Sequence, residues 1–201
     1  DHLPGPLLGW AGTIHADLDL TPILYAAQAR PAWTFLLLGR REENPLLRRL
    51  SRLSNVMLAG PCPLVEVPDY LGRCQVLLDL LRDSQPYNDV VPPRLYEYLS
   101  TGKPIVSMLW PEQVELFPDV VYGAHSPEEF LHLCQQALAE DPGWVDQRRR
   151  DYGAAAAWSR RACCEPAPAV LTTSLSFFLP LLVEADKNAL PPCKYRDFSI
   201  K

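Results

Sequence analysis

Residues 33–39 read Trp33-Thr34-Phe35-Leu36-Leu37-Leu38-Gly39, an apolar run without alternation that stops at a glycine. The run is too short for an ordinary helix and fits a strand buried on both faces. Such strands belong to parallel sheets covered by helices on each side, so the expected fold class is α/β. Working outward, the chain keeps alternating. Leu7 to Ala11 predicts a first strand ending at Gly12; Thr21 to Arg30 predicts a helix with Thr21 as N-cap and Pro22 in its first turn. Beyond the run come a helix over 45–53, a strand over 55–59, a helix over 65–73 capped near Glu66, and a strand over 74–80. A loop over 81–91 leads to a helix over 92–101 closed by Gly102, then a strand over 104–109, a short helix near 112–117 and a strand over 120–122. Ser126-Pro127-Glu128-Glu129 opens the best-marked helix, with proline in the first turn and Glu129 at the capping-box position; a last helix is expected over 143–161. Strand–helix alternation implies right-handed crossovers, and six strands suit a doubly wound parallel sheet in the order 3-2-1-4-5-6.

Bulk properties narrow the function classes. At 201 residues, 48% hydrophobic and 21% charged, the chain is long enough for one globular domain, expected over 1–165, with a C-terminal tail over 166–201. The net charge of −5, with no basic tract of five or more, excludes an ordinary nucleic-acid binder. The run Arg148-Arg149-Arg150 reads as a solvated helix face, or else as a contact with acidic lipid or a further domain. Six cysteines without a C-x-x-C pair and four scattered histidines predict no metal site and a reducing, cytoplasmic setting. The apolar stretch 170–183 has fourteen residues with Pro180 inside, whereas a spanning helix needs roughly twenty. Peripheral contact with the inner face of a membrane stays open, as does docking of this stretch on another domain.

In open parallel sheets ligands bind beyond the carboxyl ends of the strands, where the strand order reverses. Two segments are expected there. The first is Gly12-Thr13-Ile14-His15, where a glycine allows a ligand close to the backbone or simply makes a turn. Neither the G-x-G-x-x-G dinucleotide pattern nor a Walker A loop is present, which argues against NAD enzymes and P-loop NTPases. The second is Asp89-Val90-Val91-Pro92-Pro93-Arg94-Leu95-Tyr96-Glu97, which delivers a helix start to the same place. A helix N-terminus attracts a diphosphate, and Arg94 in its first turn adds a forked cation. Glu97, one turn on, can accept two hydroxyl hydrogen bonds, as from a ribose. Asp89, eight residues earlier, can reach the same cavity. Taken singly, Arg94 could be a surface residue and Glu97 a plain helix former.

The run VVPPRLYEYLSTGKPIVS (90–107) resembles the nucleotide-binding helix of retaining GT-B glycosyltransferases of the family-4 type. GWAGTIHADLDL (9–20), LYAAQARPAWTFLLLGR (24–40), NVMLAGPCPLVEVPDYLGRCQVLLDLLRD (55–83), DVVYGAHSPEEFLHLCQQAL (119–138) and AAWSRRA (156–162) are similar to the TuaH-like branch, tied to teichuronic-acid and other cell-surface polysaccharides. The resemblance implies a Rossmann-like C-terminal half of a GT-B glycosyltransferase, binding a UDP- or GDP-linked sugar as donor substrate with no cofactor. It implies that Glu97 binds the ribose, that Asp89 is the catalytic candidate facing the donor sugar, and that Pro93, Arg94 and Leu95 line the diphosphate path with Gly12 and Thr13. The family's Arg and Lys after the first glycine are replaced here by Thr13 and acidic residues around Asp17, so phosphate neutralisation falls to Arg94 and the helix end, with Arg40 as a second cation. The missing partner is an N-terminal acceptor-binding domain, and the chain alone is expected to be an inactive fragment. Two alternatives remain: a non-catalytic nucleotide-binding or assembly module of the same fold, and a GT-B-like sugar-nucleotide epimerase.

Overall fold

A computed structural model describes residues 5–80, 91–108, 114–141 and 143–155. Six parallel strands form one sheet: β1 (Leu7–Ala11), β2 (Thr34–Leu38), β3 (Val56–Ala59), β4 (Val76–Asp79), β5 (Ile105–Ser107) and β6 (Tyr122–Gly123). Their order is β3-β2-β1-β4-β5-β6, the doubly wound order expected. The helices are α1 (Thr21–Ala29), α2 (Leu47–Leu50), α3 (Val67–Arg73, preceded by a 3-10 turn Leu64–Glu66), α4 (Pro93–Thr101), α5 (Pro127–Leu138) and α6 (Trp144–Ala155).

Side-chain alternation divides the core between the two faces of the sheet. Leu8, Trp10, Phe35, Leu37, Val76, Leu78 and Val106 pack with Ile23 and Leu24 of α1 and Phe130, Cys134 and Ala137 of α5. Leu7, Leu36, Leu77 and Ile105 pack on the other side with Leu71 of α3 and Leu95, Tyr98 and Leu99 of α4. All five residues of β2 are buried, which is why residues 34–38 show no polar alternation. Each such Leu or Phe contributes about 1.5–3 kcal/mol of transfer free energy.

Several boundaries depart from expectation for visible reasons. Thr21 is the first helical residue rather than the cap; its N–H donates to Asp19 Oδ1 at 2.8 Å. Glu66 precedes α3 without a side-chain capping bond. The helix expected over 45–53 shrinks to Leu47–Leu50, because residues 51–55 turn the chain back to start β3. The last strand begins at Tyr122, since Val120 gives its carbonyl to Arg149 Nε at 2.9 Å instead of to the sheet. Ser126 caps α5 as read: its Oγ accepts the Glu129 N–H at 3.1 Å, while the Glu129 carboxylate reaches back to the His125 N–H at 2.8 Å.

The Arg148-Arg149-Arg150 run is not a uniformly solvated face. Arg149 is 1% exposed, pairs with Glu140, and also donates to the Gly102 carbonyl at 3.4 Å. Glu140 in turn accepts from the Tyr122 hydroxyl at 2.7 Å, so this network ties α6 to the ends of α4 and α5. Among the described residues, no helix is long and apolar enough to cross a membrane. The loop 81–90, residues 112–113 of the short helix expected near 112–117, residues 156–161 of the last expected helix, and the tail 166–201 lie outside the described residues.

Candidate functional site

The sheet order reverses between β1 and β4, and there the strands part early. They pair only at Leu8↔Val76 and Gly9↔Leu77, whereas β1 and β2 stay paired through Ala11↔Leu38. Past that point the Ala11 N–H has no strand partner on the β4 side, and Tyr98 of α4 supplies its hydroxyl as acceptor at 2.8 Å. Burial pushes the Tyr98 phenol above its ordinary value, with the Arg94 charge acting against that, so it stays a neutral prop.

Arg94, in the first turn of α4, lies across the mouth of this gap. Its Nε donates to Asp79 Oδ1 at 2.5 Å and its Nη2 to the Leu80 carbonyl at 2.8 Å. Its guanidinium carbon sits 5.5 Å from the centre of the Trp10 ring, within cation–π range. Asp79, the last residue of β4, is fully buried, and its other oxygen accepts from Ser107 Oγ at 3.0 Å. Burial alone would lower the Arg94 pKa, but the Asp79 carboxylate together with Tyr98 and Glu97 outweighs it and raises the value, so the guanidinium stays charged. The Arg94 side chain keeps 26% of its surface exposed. Among the described residues Nη1 has no hydrogen-bond partner, and it lies 3.5 Å from where a Cβ on Gly12 would stand.

The loop after β1 is held against β2 by close backbone contact. A Cβ on Gly39 would come within 1.9 Å of the Gly12 carbonyl oxygen, so only glycine fits, and φ there is +137°. Beyond the two glycines the strands re-register through Ile14↔Arg41, with the Ile14 N–H on the Arg40 carbonyl at 2.8 Å. Asn44 Nδ2 donates to the carbonyls of His15 (3.0 Å), Ala16 (3.3 Å) and Leu18 (2.9 Å), fastening the turn from inside. His15 Nδ1 meets Glu42 Oε2 at 3.2 Å on the outside.

The structure brings Gly12, Arg94 and the start of α4 together. Glu97 is exposed one turn along α4, near enough to act electrostatically on Arg94. Thr13 is half-buried in the loop, and Arg40 is exposed at the end of β2. Asp89 lies outside the described residues. Two expectations change. Leu95 is fully buried under α4, so its side chain packs into the core and cannot line a phosphate path. The helix start also offers fewer amide donors than expected. Pro92 and Pro93 have none, and the Leu95 N–H bonds the Pro92 carbonyl at 2.9 Å, leaving the Arg94 N–H among the described residues.

Sequence reasoning missed Asp79, Ser107, Tyr98, Trp10 and Asn44. Asp79 had a signal: a lone carboxylate ending the apolar run Val76-Leu77-Leu78 must find a partner if buried. Among the described residues no group of three or more His, Cys, Asp or Glu gathers closely enough to hold a metal ion.

A family described as "Glycosyl transferase-like" matches residues 21–165. TuaH of Bacillus subtilis (strain 168), named as a teichuronic acid biosynthesis glycosyltransferase, is 34% identical over 154 residues, covering 72% of this chain and 38% of its own. The chain belongs to the glycosyl transferase-like family. It thus spans about two-fifths of the length of that relative. Solved members of the fold agree with the sheet seen here. Anabaena Alr3699/HepE in complex with UDP superposes with a TM-score of 0.57 at 14% identity, over 75% of this chain and 43% of that one. The catalytic domain of cholesterol-alpha-glucosyltransferase from Helicobacter pylori gives 0.54 at 12% identity, over 76% of this chain and 96% of that domain. At these identities the two likenesses establish the GT-B-type α/β fold of this glycosyltransferase-family domain.

Proposed function

We infer that this domain is the donor-binding half of a glycosyltransferase, moving a sugar from a UDP- or GDP-linked donor to an acceptor. The observation that carries the reading is the Arg94 guanidinium, charged and held at the β1–β4 mouth with one edge, beside Gly12, unpaired among the described residues. Transfer from a nucleotide sugar needs stabilisation of the departing diphosphate. The Nη1 edge and the Arg94 N–H are donors fixed in advance for that charge. Glu97 takes the ribose hydroxyls, and the family-4 resemblance assigns the donor sugar to Asp89. Pro93, Thr13 and Gly12 shape the passage, and Arg40 is a second cation at its rim. HepE is a relative in fold solved with UDP and with UDP-glucose, which supports a sugar nucleotide as the ligand class. The likeness to TuaH supports a role in cell-surface polysaccharide assembly. Retention of configuration and independence from metal follow from the family-4 resemblance. An acceptor-binding domain completes the enzyme, on the cytoplasmic side of a membrane in peripheral contact with it. The test is calorimetric titration of the folded chain with UDP and with GDP. Micromolar to submillimolar binding of either supports the reading, and no binding of both removes it.

One observation favours a second reading, a nucleotide-binding module without turnover. Asp79 offsets the Arg94 charge, and the Pro92-Pro93 start removes amide donors, so little positive charge remains for a leaving diphosphate. Donor hydrolysis by the full-length parent decides between the two: turnover supports the enzyme, and nucleotide binding without turnover supports the module.

A further inference from the structure

Asp79 and Ser107 stand behind Arg94, away from the open edge of the crevice. Both are fully buried. The Asp79 carboxylate bridges β4 to two other elements: Oδ1 receives Nε of Arg94 from α4, and Oδ2 receives Oγ of Ser107, the last residue of β5. The Leu80 carbonyl receives Nη2, and the Trp10 ring supports the guanidinium plane. A guanidinium held at Nε and Nη2 against a ring has little rotational freedom left. Its remaining edge, Nη1, is directed where Gly12 carries no side chain.

The cation could stay charged without this arrangement. A merely structural ion pair on the surface would not need a buried carboxylate anchored by a second strand. The wedge between β1 and β4 would also close more cheaply with apolar side chains, because a buried pair of charges is at best neutral for stability against a hydrophobic replacement. What the bridge adds is orientation. Charged donors bind an oxyanion best when their direction is fixed before the ligand arrives, since no ordering is then left to do.

We propose that Asp79 and Ser107 are positioning residues of the donor site, fixing Arg94 so that Nη1 meets a phosphoryl oxygen of a nucleoside diphosphate in the space left by Gly12. This rests on the donor-site reading above. Asp79 does not touch the ligand; its oxygens are both engaged, and a carboxylate facing a phosphate would repel it. The carboxylate acts on the ligand through Arg94.

That last point gives the test, a double-mutant cycle on UDP affinity measured by calorimetry with the whole chain. Asp79→Ala releases Arg94 and is expected to weaken UDP about tenfold or more, the scale of a charge-assisted hydrogen bond. Asp79→Asn keeps an oxygen for Nε and a polar group for Ser107, and is expected to bind UDP within about threefold of wild type, or tighter once Arg94 is no longer neutralised. Arg94→Ala weakens UDP on its own, and adding Asp79→Ala to it is expected to weaken it no further. Additive losses in the double variant would overturn the proposal, as would equal losses in Asp79→Asn and Asp79→Ala. Should Asp79→Ala fail to fold, Ser107→Ala runs the same cycle: a severalfold loss that disappears in the Arg94→Ala background supports positioning, and a loss that persists there refutes it. Absence of UDP and GDP binding by wild-type chain is a separate result, which removes the donor-site reading itself.

Discussion

Arg149→Met is the sharpest test of how the domain holds its site-bearing helix. Arg149 is 1% exposed on α6 and Glu140 12%, so both charges have left most of their water. The guanidinium donates Nη2 to Glu140 Oε2 at 2.7 Å and Nε to the Val120 carbonyl at 2.9 Å. Methionine reaches about as far as Nε and has no donors. It strands the Glu140 carboxylate with the Tyr122 hydroxyl as its one side-chain partner among the described residues. Removing one member of a buried pair costs about 3–5 kcal/mol, and the surviving Tyr122 bond places this case at about 3. For a domain of this size that is a fall in melting temperature of about 6–12 °C. Differential scanning fluorimetry or calorimetry at pH 7 reads it directly. Adding Glu140→Gln to Arg149→Met removes the stranded charge and should recover part of the loss. A melting point for Arg149→Met within about 2 °C of wild type, a loss of about 1 kcal/mol or less, would refute the argument that the pair is a desolvated tie rather than a surface contact.

Burial pushes the Glu140 carboxyl up, but hydrogen bonds from Arg149 and Tyr122 outweigh it and hold it below its ordinary value. Its folded pKa is therefore depressed: the stabilisation is full above the unfolded value of about 4.3 and is lost as pH falls through the lower folded value. Thermal melts between pH 6 and pH 3 should show a steeper acid loss in wild type than in Glu140→Gln, and parallel curves would contradict this. Burial raises the Cys74 thiol to about 11, with Lys103 opposing. Alkylation at pH 8 followed by peptide mass spectrometry should leave Cys74 unmodified until denaturant is added; rapid native labelling would show that the site opens. Gly39→Ala places a methyl against the Gly12 carbonyl at a φ of +137°. A destabilisation of about 2–4 kcal/mol in urea unfolding is expected, and a neutral result would mean that the two loops separate freely.

The fold was legible because its signal is physical and local. Residues 33–39 lack polar alternation since β2 is covered on both faces, and the crossover rule then leaves few sheet orders. Element ends were less legible where tertiary contacts decide them. Val120 and Val121 look like strand residues, yet Arg149, twenty-nine positions later, claims the Val120 carbonyl. The candidate site was readable as a place on the sheet, while its chemistry is a proposal. Arg94 and Glu97 stand on α4 by the reverse point of the sheet, as their spacing suggested. Its supporting residues come from β4, β5 and the far side of α4, at separations of 15, 28 and 87 residues, which no local pattern records. The loss of Leu95 from the lining follows from helical periodicity, since it shares a face with Tyr98 and Leu99, and that much was in the sequence.

The most direct measurement is a calorimetric titration of UDP into the wild-type chain, Arg94→Ala and Glu97→Gln, each first verified as folded by its melting transition. Saturable wild-type binding is expected, weakened about tenfold or more by Arg94→Ala and by a smaller factor in Glu97→Gln, in line with a charged donor to phosphate and a hydroxyl acceptor. Undiminished affinity in both variants would place the nucleotide elsewhere on the domain and contradict the account.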